Sequence, residues 1–405
     1  MNGSWTVIHR LSLGVCLLLL AGAQVHAACD ASAGRFVSVM GAVDVQSAAG
    51  PGWQSATLET ALCEGDTIRV GDRSRASVAL TNDAVLNIDQ NSAIRLIDIT
   101  PIEQESSVLD MVFGAFQSFS RKPKFLRVNT PYLNGSVEGT EFAIRVEGES
   151  TNITVLEGSV VAANEQGQVA VSAGEAARAD KGQAPTREIV VNPRDQVQWA
   201  LYYPPILTAQ SATGGEGDDL LLRASELLSV GRVDEARSEI EAALEADPNA
   251  SAALALRSVV GVTQNRNDEA LADGQRAVEA DPNSSAASIA LSYAQQAKLD
   301  IAGARDTLLN AVESNPDDAL AWARLAETQL MLGDRRAARS SAQRAVEIEP
   351  GLGRTQSVLG FVALAEIDTR TAQAAFEQAI ALDSADPLPR LGLGLATTLV
   401  LLLSN

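Results

Sequence analysis

The amino-acid sequence predicts a multidomain chain, an all-β domain of sandwich or roll type followed by an all-α solenoid. Two observations predict it: apolar residues alternate at period two through the first half, and a step of 34 residues governs the second. With 405 residues and 46% hydrophobic content, the chain can bury more than one core. The expected divisions are 1–27 for a signal peptide, 34–192 for the β domain, 193–217 for a junction helix and linker, and 218–405 for the repeats.

In the β half, Phe36, Val37 and Val39 lead through Gly41 to Val43 and Val45. Ser77–Leu80 and Val85–Ile88 flank Thr81-Asn82-Asp83, a hairpin turn by composition. Ile94 and Leu96 alternate around Arg95, and Phe142, Ile144 and Val146 alternate with Ala143, Arg145 and Glu147. Ile153 with Val155, and Val169 with Val171, repeat the pattern. Gly135, Gly139, Gly158, Gly167 and Gly174 are expected at turns.

These residues carry a resemblance. VNTPYLNGSVEGTEFAIRV (Val128–Val146), then TVLEGSVVAA and VAVSAGEAAR, resemble the FecR domain family. The family pattern falls on Val128, Thr130 and Pro131; on Gly139, Thr140 and Phe142; on Val155, Gly158 and Val160; and on Ala173 and Gly174. Upstream, LCEGDTIRVGDRSRASVAL (Leu62–Leu80) fits the same family. The resemblance implies an envelope sensor or relay module. The family namesake works through an N-terminal tail and a membrane span, for which this sequence has no counterpart before its apolar run. The motif residues themselves read as structural: none positions a nucleophile or a metal.

In the second half, Pro248, Pro282, Pro316 and Pro350 recur at the 34-residue step, within DPN, DPN, NPD and EPG. Ala236, Ala270, Ala304, Ala338 and Ala372 keep the step, as do Ala243, Ala277, Ala311, Ala345 and Ala379. This period resembles the tetratricopeptide repeat, one helix-turn-helix per unit. Trp322 with Leu325, Leu359-Gly360 and Leu393-Gly394 occupy the positions that family favours. Each proline is expected to end a second helix, and the Asp or Asn beside it to start the next. Five full units and a half unit are expected. The last helix, LGLGLATTLVLLLSN, is apolar on every side, so either the chain is cut short here or a partner or membrane covers it.

The concave face of such an array takes partners. Here it is expected to present Val259, Ile289, Tyr293, Glu327, Leu330, Arg354, Phe361 and Leu364, with Ala255 among them. The face lacks the Lys, Arg and Asn cluster of carboxylate-gripping arrays, so an apolar protein segment is the expected partner, unless Tyr293 and Phe361 pack inside the array or under the β domain.

The N-terminal run LSLGVCLLLLAGA after Arg10, followed by Val25-His26-Ala27, reads as a cleaved secretory signal. Lipidation at Cys29 fits less well, because His26 stands where a Leu-like residue is expected. The chain is thus expected to be exported, periplasmic or at the cell surface of a Gram-negative bacterium. Both histidines, His9 and His26, fall in the signal, which leaves no Ser-His-Asp or Cys-His apparatus in the mature chain. Cys29 and Cys63 then suit one disulfide, the alternative being two free thiols. A formal net charge of −20 argues against nucleic acid as a partner. No phosphate loop or dinucleotide fingerprint occurs, and no cofactor or metal is expected.

The expected function is a non-enzymatic envelope scaffold or sensor. It holds a protein in the helical groove and a protein or cell-envelope glycan on the β domain. The alternatives are a signal relay working with a membrane-bound regulator, and a carbohydrate-active or peptidoglycan-related module. VQWALYYPPIL (Val197–Leu207) is expected to be a wedge between the halves. Asn192 would cap a helix with Pro193 at its first position, and Pro204-Pro205 would stop it. Trp199, Tyr202 and Tyr203 would form one apolar face, opposite Val197, Ala200 and Leu201.

Overall fold

A computed structural model describes residue 29 and residues 32–58, 60–99, 107–208 and 216–403. The expected signal peptide and most of the linker after Thr208 lie outside the described residues. Period-two alternation becomes fourteen strands among the described residues. They are β1 (Ser32–Met40), β2 (Val43–Gln46), β3 (Trp53–Ser55), β4 (Ala61–Cys63), β5 (Thr67–Val70), β6 (Arg75–Leu80) and β7 (Val85–Ile88). After them come β8 (Ser92–Asp98), β9 (Ser107–Asn129), β10 (Asn134–Glu147), β11 (Ser150–Asn164), β12 (Gly167–Ser172), β13 (Glu175–Asp180) and β14 (Thr186–Ile189). The main order is β14-β13-β11-β10-β9-β7-β6-β1-β4, and β12 pairs with β11. A second run, β3-β2-β5-β8, joins the first at β9.

The 23-residue β9 is what rolls the sheet on itself. Its first part pairs with β8, its middle with β7, and β10 follows it along the other edge. The enclosed face is apolar. Phe116 and Phe142 meet edge to face at 5.9 Å within a core that includes Phe36, Leu86, Ile94 and Ile153. Each such fully buried side chain contributes about 1.5–3 kcal/mol. Thr81-Asn82-Asp83 is the β6–β7 turn, where Asn82 Oδ1 accepts from the Ala84 amide and Asp83 takes a positive φ.

Four of the five glycines expected at turns lie in strands: Gly135 and Gly139 in β10, Gly158 in β11, and Gly167 at the first position of β12. Gly139 is the register partner of Gly158. A Cβ on Gly158, whose φ is +106°, would come within 2.4 Å of the Gly139 Cα. The glycines serve a close backbone crossing beside a register shift, a need that resembles a turn signal in sequence. Thr130-Pro131 is in the β9–β10 connection, where the Thr130 hydroxyl donates to the Leu133 carbonyl.

The 34-residue period becomes paired helices. They are α1 (Glu216–Ser229), α2 (Val233–Ala246), α3 (Ser251–Thr263), α4 (Asn267–Ala280), α5 (Ser285–Ala297) and α6 (Ile301–Ser314). The array continues with α7 (Ala319–Met331), α8 (Arg335–Ile348), α9 (Gly353–Ala365), α10 (Thr369–Leu382) and α11 (Leu388–Leu403). In α8 the buried residues Ala338, Ala342 and Ala345 form one stripe at helical spacing, small enough for close approach to the neighbouring helices. Ser284, Asp300, Asp318, Asp334 and Asp368 cap their helices through side-chain bonds to backbone amides.

The aspartates before Pro248 and Pro282 do a different job from the expected one. Asp247 and Asp281 end α2 and α4 in extended conformation, which the following proline imposes, and each accepts from an amide two residues on. They close turns and do not cap the next helix.

Candidate functional site

The junction departs from the expected helix. Pro193–Ala200 forms a 3-10 helix with a kink at Val197, and Asn192 gives it no side-chain cap. The chain turns extended at Leu201, and no regular element covers Leu201–Thr208. Trp199, Tyr202 and Tyr203 therefore do not share a helical face. Pro204 and Pro205 stiffen an extended strap instead of ending a helix at Tyr203.

Trp199 is buried at the seam of the two halves. It lines a 190 Å³ cavity with Ala143, Asn152 and Arg178 of the β domain. On its other side, Gly231 of the α1–α2 turn approaches so closely that a Cβ there would meet the Trp199 carbonyl at 2.6 Å. Gln198 ties the same seam to the array, its Oε1 accepting from Arg237 at 2.9 Å and from Gln264 at 2.8 Å. From the β domain, Arg75 donates to the Leu201 carbonyl at 3.0 Å. Burial pulls the Arg75 guanidinium below its ordinary value, and the Asp383 carboxylate opposes that shift.

Past the seam the strap enters the array. Tyr203, Ile206 and Leu207 are buried in one apolar cluster with Leu221, Leu228 and Val259. The Tyr202 hydroxyl donates to Asp383 Oδ2 at 3.0 Å, in the α10–α11 connection. Burial, with Asp386 and Asp383 adding to it, raises the Tyr202 phenol well above its ordinary value, so it stays a donor. The array also returns to the β domain. Ser384 Oγ accepts from the Val39 amide at 3.1 Å, and Arg390 donates to the Val37 carbonyl.

The structure divides the expected groove residues. Tyr293, Glu327 and Arg354 converge in one polar network. Arg354 bonds Glu327 at 2.9 Å, Asp386 at 3.2 Å and the Tyr293 hydroxyl at 3.0 Å. Arg324 joins it, stacked 3.9 Å over the Tyr293 ring and paired with Glu327 at 2.8 Å. Burial opposes charge on Arg354, but Glu327, Tyr293 and Asp386 hold it well above its ordinary value. Val259 and Ile289 are buried in the cluster that contains the strap. Leu330, Phe361 and Leu364 pack within the array, Phe361 edge to face on Phe376 at 4.9 Å. At Val259 the expected apolar face lies against the chain's own strap, and Ile289 is buried in the same cluster.

Cys29 and Cys63 are joined by a disulfide that fastens the segment just before β1 to β4. On the β domain, a 1060 Å³ cleft is lined by Arg35, Phe119, Arg121 and Lys122 among others. No group of three or more His, Cys, Asp or Glu side chains suited to a metal occurs among the described residues. No helix among them is long and apolar enough to cross a membrane. On α11, Leu391, Leu395, Leu401, Leu402 and Leu403 face outward and are exposed.

Sequence reasoning missed Arg75, Gln198, Asp383 and Arg390. Asp383 sits one step of 34 beyond Glu349, so its periodic place hid its second role. Arg75 and Arg390 bond main-chain carbonyls 126 and 353 positions away, which leaves no local signal.

The comparisons with known proteins agree with the two halves. A family model described as FecR protein matches residues 66–161. One described as tetratricopeptide repeat matches 221–285 and 289–352. No curated protein matches the chain. Among solved structures, a thermophilic tetratricopeptide protein of Thermus thermophilus, TTC0263, is 22% identical, covering 45% of this chain and 99% of its own, with a TM-score of 0.39. A putative anti-sigma factor from Parabacteroides distasonis is 15% identical over 35% of this chain and 68% of its own, with a TM-score of 0.30. YrrB, described as a tetratricopeptide protein with an unusual peptide-binding site, is 22% identical over 42% of this chain and 89% of its own, at a TM-score of 0.30. Both matched families are interaction and regulatory modules, and the chain is a FecR-domain protein with C-terminal tetratricopeptide repeats.

Proposed function

We propose that this chain is a non-enzymatic scaffold or sensor of the bacterial envelope, one that binds a protein partner through the repeat array and a second ligand, protein or glycan, through the FecR domain. One observation carries the reading: an interaction array is fastened to the FecR domain at both of its ends. Trp199 meets Gly231 at the first helix pair, and Ser384 and Arg390 reach β1 from the last. A partner that bends the array therefore moves the β domain, as a sensor requires. The cleft lined by Arg35, Asp83, Phe119, Arg121 and Lys122 supports a second site on the β domain. The FecR match also favours a relay role, in which a membrane-bound regulator reads the bend.

The test is cross-linking mass spectrometry on full-length chain incubated with envelope extract. The expected result is a specific protein cross-linked to the helical array. Recovery of no specific protein, or of cross-links confined to the affinity tag, would reject the scaffold reading.

A further inference from the structure

The segment Leu201–Thr208, LYYPPILT, lies in the array much as a bound peptide would. It has no helix or strand of its own: Leu201 opens it in extended backbone, a bend falls at Ile206, and the two prolines between them stiffen it at low entropic cost. Its apolar side chains are sequestered: Tyr203, Ile206 and Leu207 join Leu228, Leu256 and Val259 of the first helix pairs. Its polar groups reach far repeats. Tyr202 bonds Asp383 in the last hinge, and the Thr208 hydroxyl bonds Glu349 at the hinge before it. One eight-residue segment thus touches α1 and α3 with its apolar groups and the hinges before α9 and α11 with its polar ones.

The segment does not fill its seat: a cavity of 100 Å³ remains beside it, bounded by Tyr202, Pro205, Leu228, Val259 and Asp383, with Met40 and Arg75 of the β domain on the remaining side. A void of that size forfeits contacts that a better-fitting segment would regain. The strap is also held from outside the array by Arg75 at the Leu201 carbonyl, so its seat depends on how the β domain is docked.

On the scaffold reading, we infer that Leu201–Thr208 is the resident ligand of a peptide-binding groove. The partner is a protein that offers an extended segment of the same chemistry: an aromatic residue with a hydroxyl, then a proline-stiffened apolar stretch. The hydroxyl replaces Tyr202 at Asp383, and the apolar stretch replaces Tyr203 and Ile206 against Leu228 and Val259. Tethering keeps the groove shut, because a segment on a short linker has an effective concentration in the millimolar range, on the order of 1 mM. Undocking of Arg75 from Leu201 releases the strap and couples the β domain to the groove.

The test uses a fluorescent peptide of sequence ALYYPPILT and a control peptide with Asp at the places of Tyr202 and Ile206. Anisotropy is read on wild-type full-length chain and on a full-length variant with Tyr202, Tyr203, Ile206 and Leu207 all replaced by Ser. The variant is expected to bind the first peptide and not the control, and wild type to bind it at least about tenfold more weakly. A cooperatively melting variant that binds neither peptide overturns the inference, and so does equal binding by wild type and variant. If the variant does not fold, the double substitution Arg75→Gln with Tyr202→Phe replaces it. That chain is expected to bind the peptide more tightly than wild type, and no gain overturns the inference. Failure here with partners still cross-linked to the array would leave the scaffold reading standing.

Discussion

The hydroxyl of Tyr202 donates to the carboxylate of Asp383 at 3.0 Å, across 181 positions of sequence. This bond joins the segment leaving the FecR domain to the last hinge of the repeat array. Beside it, Ala385 donates its amide to the other oxygen of Asp383, so the acceptor is already oriented. The repeat array therefore closes around the strap at both ends of its path.

Replacing Tyr202 with Phe removes the donor and keeps the ring. A hydrogen bond to a charged acceptor contributes about 1.5–3 kcal/mol. The loss is expected to be local: faster amide exchange in Leu201–Thr208 and around Ala385, with exchange in the β9–β10 core unchanged. Hydrogen–deuterium exchange mass spectrometry reads both. Unaltered protection of the strap would show that the bond does not hold it.

Trp199→Ala is expected to loosen the seam. Trp199 is buried beside Ala143, Asn152 and Arg178 of the β domain while its main-chain carbonyl faces Gly231, and truncating a large buried aromatic costs about 3–5 kcal/mol. The loss is expected to appear as a change in how the halves sit, with each half still folded. Small-angle scattering should show a larger radius of gyration while far-UV circular dichroism stays the same. An unchanged scattering curve would refute the wedge.

Both halves were legible in sequence because their signals are periodic and local. Phe142, Ile144 and Val146 alternate in β10, and Pro248, Pro282, Pro316 and Pro350 keep their step at the helix ends. The glycine pair Gly139 and Gly158 misled, since the need for a missing Cβ is the same at a strand crossing as at a turn. The strap misled for a different reason. Tyr202 and Tyr203 lie within helical reach of Trp199, yet Pro204 disfavours helix at the residue before it, and contacts with Asp383 and Leu228 hold the segment where it lies. Contacts such as Arg75 to Leu201 pair a side chain with a distant carbonyl, which any residue could supply.

The disulfide is open to a direct check. Cys29 and Cys63 are 34 apart in sequence, and closing a loop of that length stabilises by about 3–4 kcal/mol on the chain-entropy model. Cys63→Ser is expected to lower the melting temperature of the β domain and to leave that of the helical array in place. Wild type in reductant should match the variant. A variant as stable as oxidised wild type would mean that the β1–β4 pairing alone secures this edge of the sheet.

Asp318 offers a test of buried charge. It is 1% exposed, and its carboxylate caps α7 by accepting from the Ala321 amide at 3.0 Å. Burial raises its pKa above the ordinary value of 3.8, and the bond to Ala321 only partly offsets this. A raised native pKa means that the folded state holds the proton more tightly than the unfolded chain does. The contribution to stability is therefore full below the unfolded value and lost as pH rises through the folded one. At neutral pH the protein carries the cost of a buried anion here. Asp318→Asn keeps an oxygen acceptor for the cap and removes the charge, so it is expected to melt no lower than wild type at pH 7, with that advantage shrinking as pH falls toward the unfolded carboxylate range. Asp318→Ala loses the cap as well and is expected to cost about 1 kcal/mol. Thermal melts of the three proteins across pH decide it: an Asn variant less stable than wild type at neutral pH would show that the carboxylate's charge strengthens the cap by more than its burial costs.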